Sequence, residues 1–297
     1  MAKKEKDLST RAKEFFHNFM SQDLLQYEFW ETADKYYAKL FDRVPTEDLL
    51  KIRQCIAENT LARFDPAQKI TWLDIGTGDA ATLLEIFKQD QDFDKRQITL
   101  VTNEPSSKAI SLLKNSINKF SNIRLEVITD NFDLSLVAGK KIDIITSLHS
   151  SYYLGKSETD FENLFSKLFE SLNDSGVLLV QGIASNSDFR NLETKPYPYS
   201  LYSCGDYTKK IFKKFWGGAD GKEFLTRFDV TSYLQENLSG DMQADLKQFY
   251  LFIRQNPHLE FSQEVQNAFF EKIKKFAVKS DSKYYLDFKD WIVWVKK

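Results

Sequence analysis

The sequence predicts an α/β fold: a doubly wound, mostly parallel seven-stranded sheet with an antiparallel edge and a helical cap. Three observations predict it. From residue 70, short apolar runs alternate with amphipathic stretches at helical spacing, the pattern of a parallel sheet covered on both faces. After about residue 185 the alternation stops, and two late strand-like strings, KEFLTRFDV (222–230) and YLDFKDWIVWV (285–295), suit an antiparallel edge. Before residue 65 the pattern is helical.

Within residues 9–64, Phe15, Phe16, Phe19 and Leu24, then Trp30, Tyr37 and Leu40, fall near helical spacing. Pro45 interrupts them, Thr46 is expected to N-cap TEDLLKIRQCIAENTLARF, and Pro66 ends that stretch. ITWLDI (70–75) reads as a buried strand, followed by a helix from Asp79 to Lys88 with Ala80, Leu83, Leu84 and Phe87 on one face. QITLVTN (97–103) is a second strand, and the helix after Pro105 aligns Ile110, Leu113, Ile117 and Phe120. IRLEVIT (123–129) and KIDIITS (141–147) are the third and fourth strands. Phe161, Leu164, Phe165, Leu168 and Leu172 mark a helix that Gly176 is expected to close, before VLLVQG (177–182). Residues 241–278 read as helical. The expected layout is a cap over 1–64 and a cofactor-binding domain over 65–297. Within it, 185–220 and 241–278 are insertions near the carboxyl ends of the strands, where such sheets bind ligands.

Composition narrows the function. At 42 % hydrophobic and 28 % charged residues the chain is an ordinary globular protein, not a disordered one. Its formal charge of −2 removes the electrostatic case for a nucleic-acid partner. Two cysteines and three scattered histidines suggest neither a disulfide framework nor a metal cluster, so no metal is expected. The opening MAKKEKDLSTRAKEFF lacks an apolar core, and no apolar run approaches the roughly 18 residues that span a bilayer. A cytoplasmic protein without a membrane partner is therefore expected. Aromatic residues at 14 % suggest a ring-lined interior or pocket.

The string LDIGTGDAA, Leu73 to Ala81, carries the chemistry. A buried strand runs into Gly76, Thr77 and Gly78 and then into a helix, so backbone amides can approach a ligand closely. The string also satisfies a dinucleotide G-x-G-x-x-A pattern. Charge decides between the ligands. Asp74 and Asp79 would repel a pyrophosphate, whereas S-adenosylmethionine brings an ammonium and a sulfonium and no phosphate. At the end of the second strand Glu104 can accept from both hydroxyls of a ribose. At the end of the third, in Asp130-Asn131-Phe132, a carboxylate can accept from an adenine amino group while a backbone amide reads a ring nitrogen.

Residues 70–182 thereby resemble a class I S-adenosylmethionine-dependent methyltransferase: LDIGTGDA matches the glycine motif, NEPS the acidic ribose loop and ITDNF the adenine loop. Ala80 departs from the pattern, standing where many members have a third glycine. The resemblance implies a Rossmann-like sheet and S-adenosyl-L-methionine held by Asp74, Gly76, Thr77, Gly78, Glu104, Asp130, Asn131 and Phe132, with Ser147 and Leu148 at the end of the fourth strand. YEFWE (27–31), NEPS, SLHSSYYL (147–154), FDVTSYLQENLSGD and the final DFKDWIVWV together resemble the histamine N-methyltransferase branch. That likeness implies an acceptor-binding role for Glu28, and for Asp287 where the branch has an asparagine. His149 stands where the branch has a glutamine, which is a departure. A histidine there can still act as a base near neutral pH, so Glu28 and His149 are the catalytic candidates. Tyr152 and Tyr153 follow the fourth strand and can close around a cation. The expected activity is methyl transfer to a small molecule, at the nitrogen of an amine or imidazole-type acceptor. O-methylation, or cofactor binding without catalysis, are the alternatives.

Overall fold

The computed structural model describes residues 43–129, 132–151, 154, 158–192, 205–217, 219–235, 238–254 and 259–297. Its strands are β1 (Lys69–Ile75), β2 (Gln97–Asn103), β3 (Ile123–Ile128), β4 (Ile142–Leu148), β5 (Leu172–Ile183), β6 (Asp220–Asp229), β7 (Val278–Ser280) and β8 (Lys283–Lys296). They form one sheet in the order β3-β2-β1-β4-β5-β8-β6, with the short β7 paired to β8 off that path. The first five strands are mutually parallel, and β8 runs antiparallel to β5, β6 and β7. The expected seven-strand sheet with its antiparallel edge is present, and β7 adds a hairpin to it.

The strands read as apolar runs because both faces are covered. On one face α1 (Thr46–Asn59), α2 (Ala81–Phe87) and α3 (Ser107–Ile117) bury Ile56, Leu83, Phe87, Leu113 and Ile117 against Trp72, Leu100 and Ile144. Trp72 meets Phe87 edge to face at 5.5 Å, and Phe87 stacks on Phe93 at 4.8 Å, so part of the aromatic excess lies in this layer. On the other face α4 (Glu158–Glu170) and α6 (Gly205–Trp216) bury Phe161, Phe165, Ile211 and Phe212 against Ile145, Leu178 and Val293.

A third cluster lies beyond the end of β5. The β5–β8 pairing stops at Ile183↔Asp290, while β6 and β8 continue together to Asp229↔Tyr285. This projecting ribbon carries Phe228, Leu286 and Phe288. They pack with α5 (Asp188–Leu192), a 3-10 turn at Thr231–Leu234, α7 (Gly240–Arg254) and α8 (Gln263–Phe276). Phe228 stacks on Phe249 at 5.0 Å and on Phe288 at 5.2 Å. Arg43 fastens the start of the described chain to this cluster. Its guanidinium donates to the Asp229 carbonyl and the Ser232 hydroxyl, pairs with Asp245, and lies 4.2 Å over the Tyr233 ring.

Two local expectations change. Thr46 is the first residue of α1 and not its cap: Pro45 occupies the N-cap, with no side-chain cap bond. Gly176 does not close α4, which ends at Glu170 with the Ser171 amide donating to the Lys167 carbonyl. Instead β5 starts at Leu172 and bulges, its partners jumping from Ile142↔Leu172 to Ile144↔Val177. A Cβ at Gly176 would stand 3.0 Å from the Asn173 carbonyl and 3.1 Å from that of Ile142, so the glycine serves the tight bulge. Trp216 stacks on Phe169 at 4.6 Å in the second layer. α6 covers a face of the sheet there.

Candidate functional site

The order of strands reverses between β1 and β4, and crevices at such switch points take ligands at the carboxyl ends. The register aligns those ends: Ile75 pairs with Asn103 on one side and Ser147 on the other, and Asn103 pairs with Ile128. The loops after β1, β2, β3 and β4 therefore meet, which brings the glycine motif, Glu104, Phe132 and the 147–151 segment together.

The glycine loop is defined by left-handed backbone. Gly76, Gly78 and Ala80 have φ of 72°, 60° and 68°. Ala80 shows the reason for a glycine there in other members, since an alanine in this conformation costs roughly 1–2 kcal/mol. The loop is anchored to β2 by the Gly76 amide, which donates to the Asn103 carbonyl at 2.9 Å. Thr77 Oγ1 donates to the Asp74 carbonyl at 3.0 Å, and Asp79 Oδ1 accepts from the Ala81 amide at 2.9 Å, so Asp79 serves the helix start.

Glu104 lies across this loop. One carboxylate oxygen accepts from the Gly78 amide at 2.8 Å and the other from the Ser106 amide at 2.9 Å. A carboxylate offers about four lone-pair sites, more than these two bonds use. Asp74 is buried at 2 % exposure. Thr146 Oγ1 donates to it at 2.5 Å and in turn accepts from Trp72 Nε1 at 2.7 Å. Burial pushes the Asp74 carboxyl up to about 7, the bonds from Thr146 and Thr77 oppose that shift, and the Glu104 charge adds to it. A cation arriving here would favour the ionised form of Asp74.

The segment after β4 braces the loop. Ser150 Oγ donates to the Ile75 carbonyl and lies 2.8 Å from Ser147 Oγ, so the Ser147 hydroxyl is engaged inside the protein. Leu148 packs on the first layer and Phe132 on the second. His149 follows with a left-handed φ of 55°, and its Nε2 lies 3.1 Å from Asp290 Oδ2. Asp287 is three residues earlier on β8, on the alternate side of the strand by period. Its amide donates to Asp188, and burial together with the Asp188 charge raises its carboxyl. The structure thus sets Asp290, and not Asp287, against His149. Glu28, Asp130, Asn131, Tyr152 and Tyr153 lie outside the described residues.

The sequence reading passed over Thr146, Ser150, Gln181 and Asp290. Asp290 stands in the DFKDWIVWV string beside Asp287, and only the strand register separates their positions. Among the described residues no group of three or more His, Cys, Asp or Glu could hold a metal ion, and no helix is long and apolar enough to cross a membrane.

A reversed strand order with an acid near the ends of β1 and β2 around a glycine turn is the arrangement expected of a class I methyltransferase. A family model described as a methyltransferase domain matches residues 29–207. The chain belongs to that family and is an S-adenosylmethionine-dependent methyltransferase. No curated protein matches it. Among solved structures it is similar to YcgJ of Bacillus subtilis, at 13 % identity over 84 % of this chain and 97 % of that one, with a TM-score of 0.47. An S-adenosylmethionine-dependent methyltransferase of Thiobacillus denitrificans, solved with S-adenosyl-L-homocysteine, shares 15 % identity over 85 % and 92 % of the chains, with a TM-score of 0.46. YjhP of E. coli shares 16 % identity over 85 % and 93 %, with a TM-score of 0.45. The family assignment rests on the domain match and the strand order, not on these distant likenesses.

The residues present fit the cofactor. Among the described residues a Cβ built on Gly78 would meet nothing within 4 Å, so the loop backbone borders space that a ligand can enter. The donor set around that space is acidic, as an ammonium and a ribose diol require and as a pyrophosphate does not.

Proposed function

We propose that this methyltransferase acts on a small molecule and transfers the methyl to nitrogen, in an amine or imidazole-type acceptor. The observation that carries the reading is the placement of His149, a partly exposed titratable base, at the end of β4 beside the Asp290 carboxylate. The likeness of Glu28 and the C-terminal string to the histamine N-methyltransferase branch belongs to this proposal, with His149 in place of the branch's glutamine and Tyr152 and Tyr153 as rings for the acceptor.

S-adenosylmethionine supplies, when bound, an electrophilic methyl on a sulfonium. The protein then has to hold the acceptor in line, roughly 3–3.5 Å away, and remove a proton. In this reading Glu104 holds the ribose, Asp74 favours the ammonium, Phe132 with Asp130 and Asn131 borders the adenine, Glu28 anchors the acceptor, and His149 takes its proton. The His149–Asp290 pair also favours a second reading, transfer to a phenolic oxygen, because a phenol too must lose its proton.

Incubation with labelled cofactor and a panel of small amines, imidazoles, phenols and carboxylates tests the proposal. Label in amines or imidazoles is expected, and label confined to phenols or carboxylates would overturn it. Glu28→Gln is expected to raise KM or lower kcat for the labelled acceptor with cofactor affinity unchanged, since its partner is the acceptor. A loss of cofactor affinity alone would move Glu28 to the cofactor side of the site.

Glu104→Ala is expected to weaken S-adenosylhomocysteine binding. Charge-assisted bonds are worth about 1.5–3 kcal/mol, which converts to roughly 10- to 150-fold in affinity. Calorimetry on the folded variant measures this, and unchanged affinity would show that the ribose is held elsewhere.

A further inference from the structure

His149 is held at both its backbone and its ring. Its left-handed φ of 55° is costly for a residue with a side chain and persists only where the surroundings over-determine it. The surroundings here are Gln181 and Asp290. The His149 amide donates to the Gln181 carbonyl at 3.1 Å, which extends the β4–β5 ladder one residue beyond β4. The Gln181 side-chain amide donates at 2.9 Å to Asp290 Oδ2, the oxygen that His149 Nε2 approaches at 3.1 Å. Asp290 occupies the last rung between β5 and β8, opposite Ile183. Sheet register therefore fixes all three residues.

An ionised carboxylate only accepts hydrogen bonds, so the imidazole nitrogen facing it must carry the hydrogen. In neutral imidazole that places the lone pair on the other nitrogen. We propose that Asp290, itself held by Gln181, is a positioning residue that fixes His149 as the Nε2–H tautomer and makes Nδ1 the proton-accepting nitrogen. This inference rests on the reading of His149 as the group that takes the acceptor's proton. In that step the acceptor's N–H or O–H bond breaks and its electron pair stays on the atom that takes the methyl. The proton bonds to Nδ1, and the imidazolium so formed faces the Asp290 carboxylate.

The electrostatics agree. Burial disfavours the imidazolium, but the charge of Asp290 and its hydrogen bond together outweigh burial and hold His149 above its ordinary 6.5. Among the described residues Asp290, on β8, is the charged side chain that acts on His149, and Gln181, on β5, is neutral. With Asp290 neutralised, burial remains without its counterweight. The titration is then expected to cross from above the ordinary value to below it.

The test needs no acceptor. The full chain, labelled with 15N in its histidines, is followed by imidazole NMR from pH 5 to 9, with His149→Gln assigning the signal among the three histidines. The expected result is the Nε2–H tautomer and a raised midpoint in the native chain, and a midpoint below ~6.5 in Asp290→Asn. Calorimetry with S-adenosylhomocysteine shows that this variant is folded. An Nδ1–H tautomer in the native chain overturns the proposal without any variant, as does an unmoved midpoint in Asp290→Asn. Full methyl transfer by His149→Gln would instead defeat the reading of His149 as the base, and the tautomer result would stand apart from it.

Discussion

Asp74→Asn is expected to make the protein more stable at pH 8 while weakening its hold on the cofactor. The Asp74 carboxyl is raised from 3.8 to about 7, chiefly by burial. Below 3.8 the folded and unfolded chains both hold this proton, and above about 7 both have lost it. Between those values only the folded chain holds it, so stability falls as pH rises across that window. At roughly 1.4 kcal/mol per pH unit, the interval from 3.8 to about 7 amounts to about 4 kcal/mol. Asparagine keeps the shape and an oxygen that can accept from Thr146 Oγ1, and it carries no charge to bury. His149 also titrates, with the opposite kind of group. Its contribution is complete below 6.5 and is lost as pH rises through its raised folded value. That slope is common to both proteins and cancels in their difference. Of that window, pH 5 to 8 spans only the part from 5 to about 7, so urea unfolding at the two pH values should show the variant gaining about 2.5–3 kcal/mol on the parent. In the parent, S-adenosylmethionine affinity should rise with pH through about 7, because the ligand's ammonium favours the ionised form. A variant whose pH dependence matches the parent's would show that Asp74 does not ionise in that range.

The sheet was legible because its signals are local. β2 appears at the expected residues, and β1, β3 and β4 within a residue or so, since each is an apolar run closed by polar turns. Gly176 misled because a glycine after an amphipathic stretch is the common sign of a helix end. What required it was a bulge against β4, a long-range pairing that no window of sequence displays. The projecting β6–β8 ribbon is similar: both strands were legible, but their extension past β5 depends on register.

The meeting of the glycine turn with Glu104 was legible for the same reason, since LDIGTGDA and NEPS are contiguous strings at the ends of neighbouring strands. The surroundings of His149 are assembled from distant segments. His149 lies on the loop after β4, Gln181 on β5 and Asp290 on β8, and they meet through two sheet pairings. In the string DFKDWIVWV either acid could be the partner. The alternation of the strand and the end of the β5 pairing select Asp290 over Asp287. Thr146 was hidden inside an apolar strand, where only its bond to a buried carboxylate gives it a role.

Gly76→Ala is expected to lose roughly 2–5 kcal/mol of stability, and Gly78→Ala only about 1–2 kcal/mol, although the two glycines share a loop and a left-handed φ. The difference is what a methyl would meet. A Cβ on Gly76 would lie 2.3 Å from Ser150 Cβ and 2.9 Å from Ser150 Oγ, whereas one on Gly78 meets nothing within 4 Å among the described residues. Ser150 cannot retreat, because the clash is with the first atom of its side chain. Its hydroxyl is also bound to the Ile75 carbonyl and lies beside Ser147. Overpacking of this kind costs about 1–3 kcal/mol on top of about 1–2 kcal/mol for the left-handed alanine. At Gly78 only the backbone strain applies to folding, and the added group projects into the space proposed for the cofactor. Gly78→Val should accordingly fold and fail to bind S-adenosylhomocysteine, and Gly76→Ala should lose stability before binding can be assessed. Thermal unfolding and calorimetry on the variants give both quantities. The double variant Gly76→Ala with Ser150→Gly removes the clashing atom, so the coupling between the two changes should recover a large part of the loss. If Gly76→Ala melts with Gly78→Ala, the packing of the loop after β4 against the glycine turn is not what braces the cofactor site.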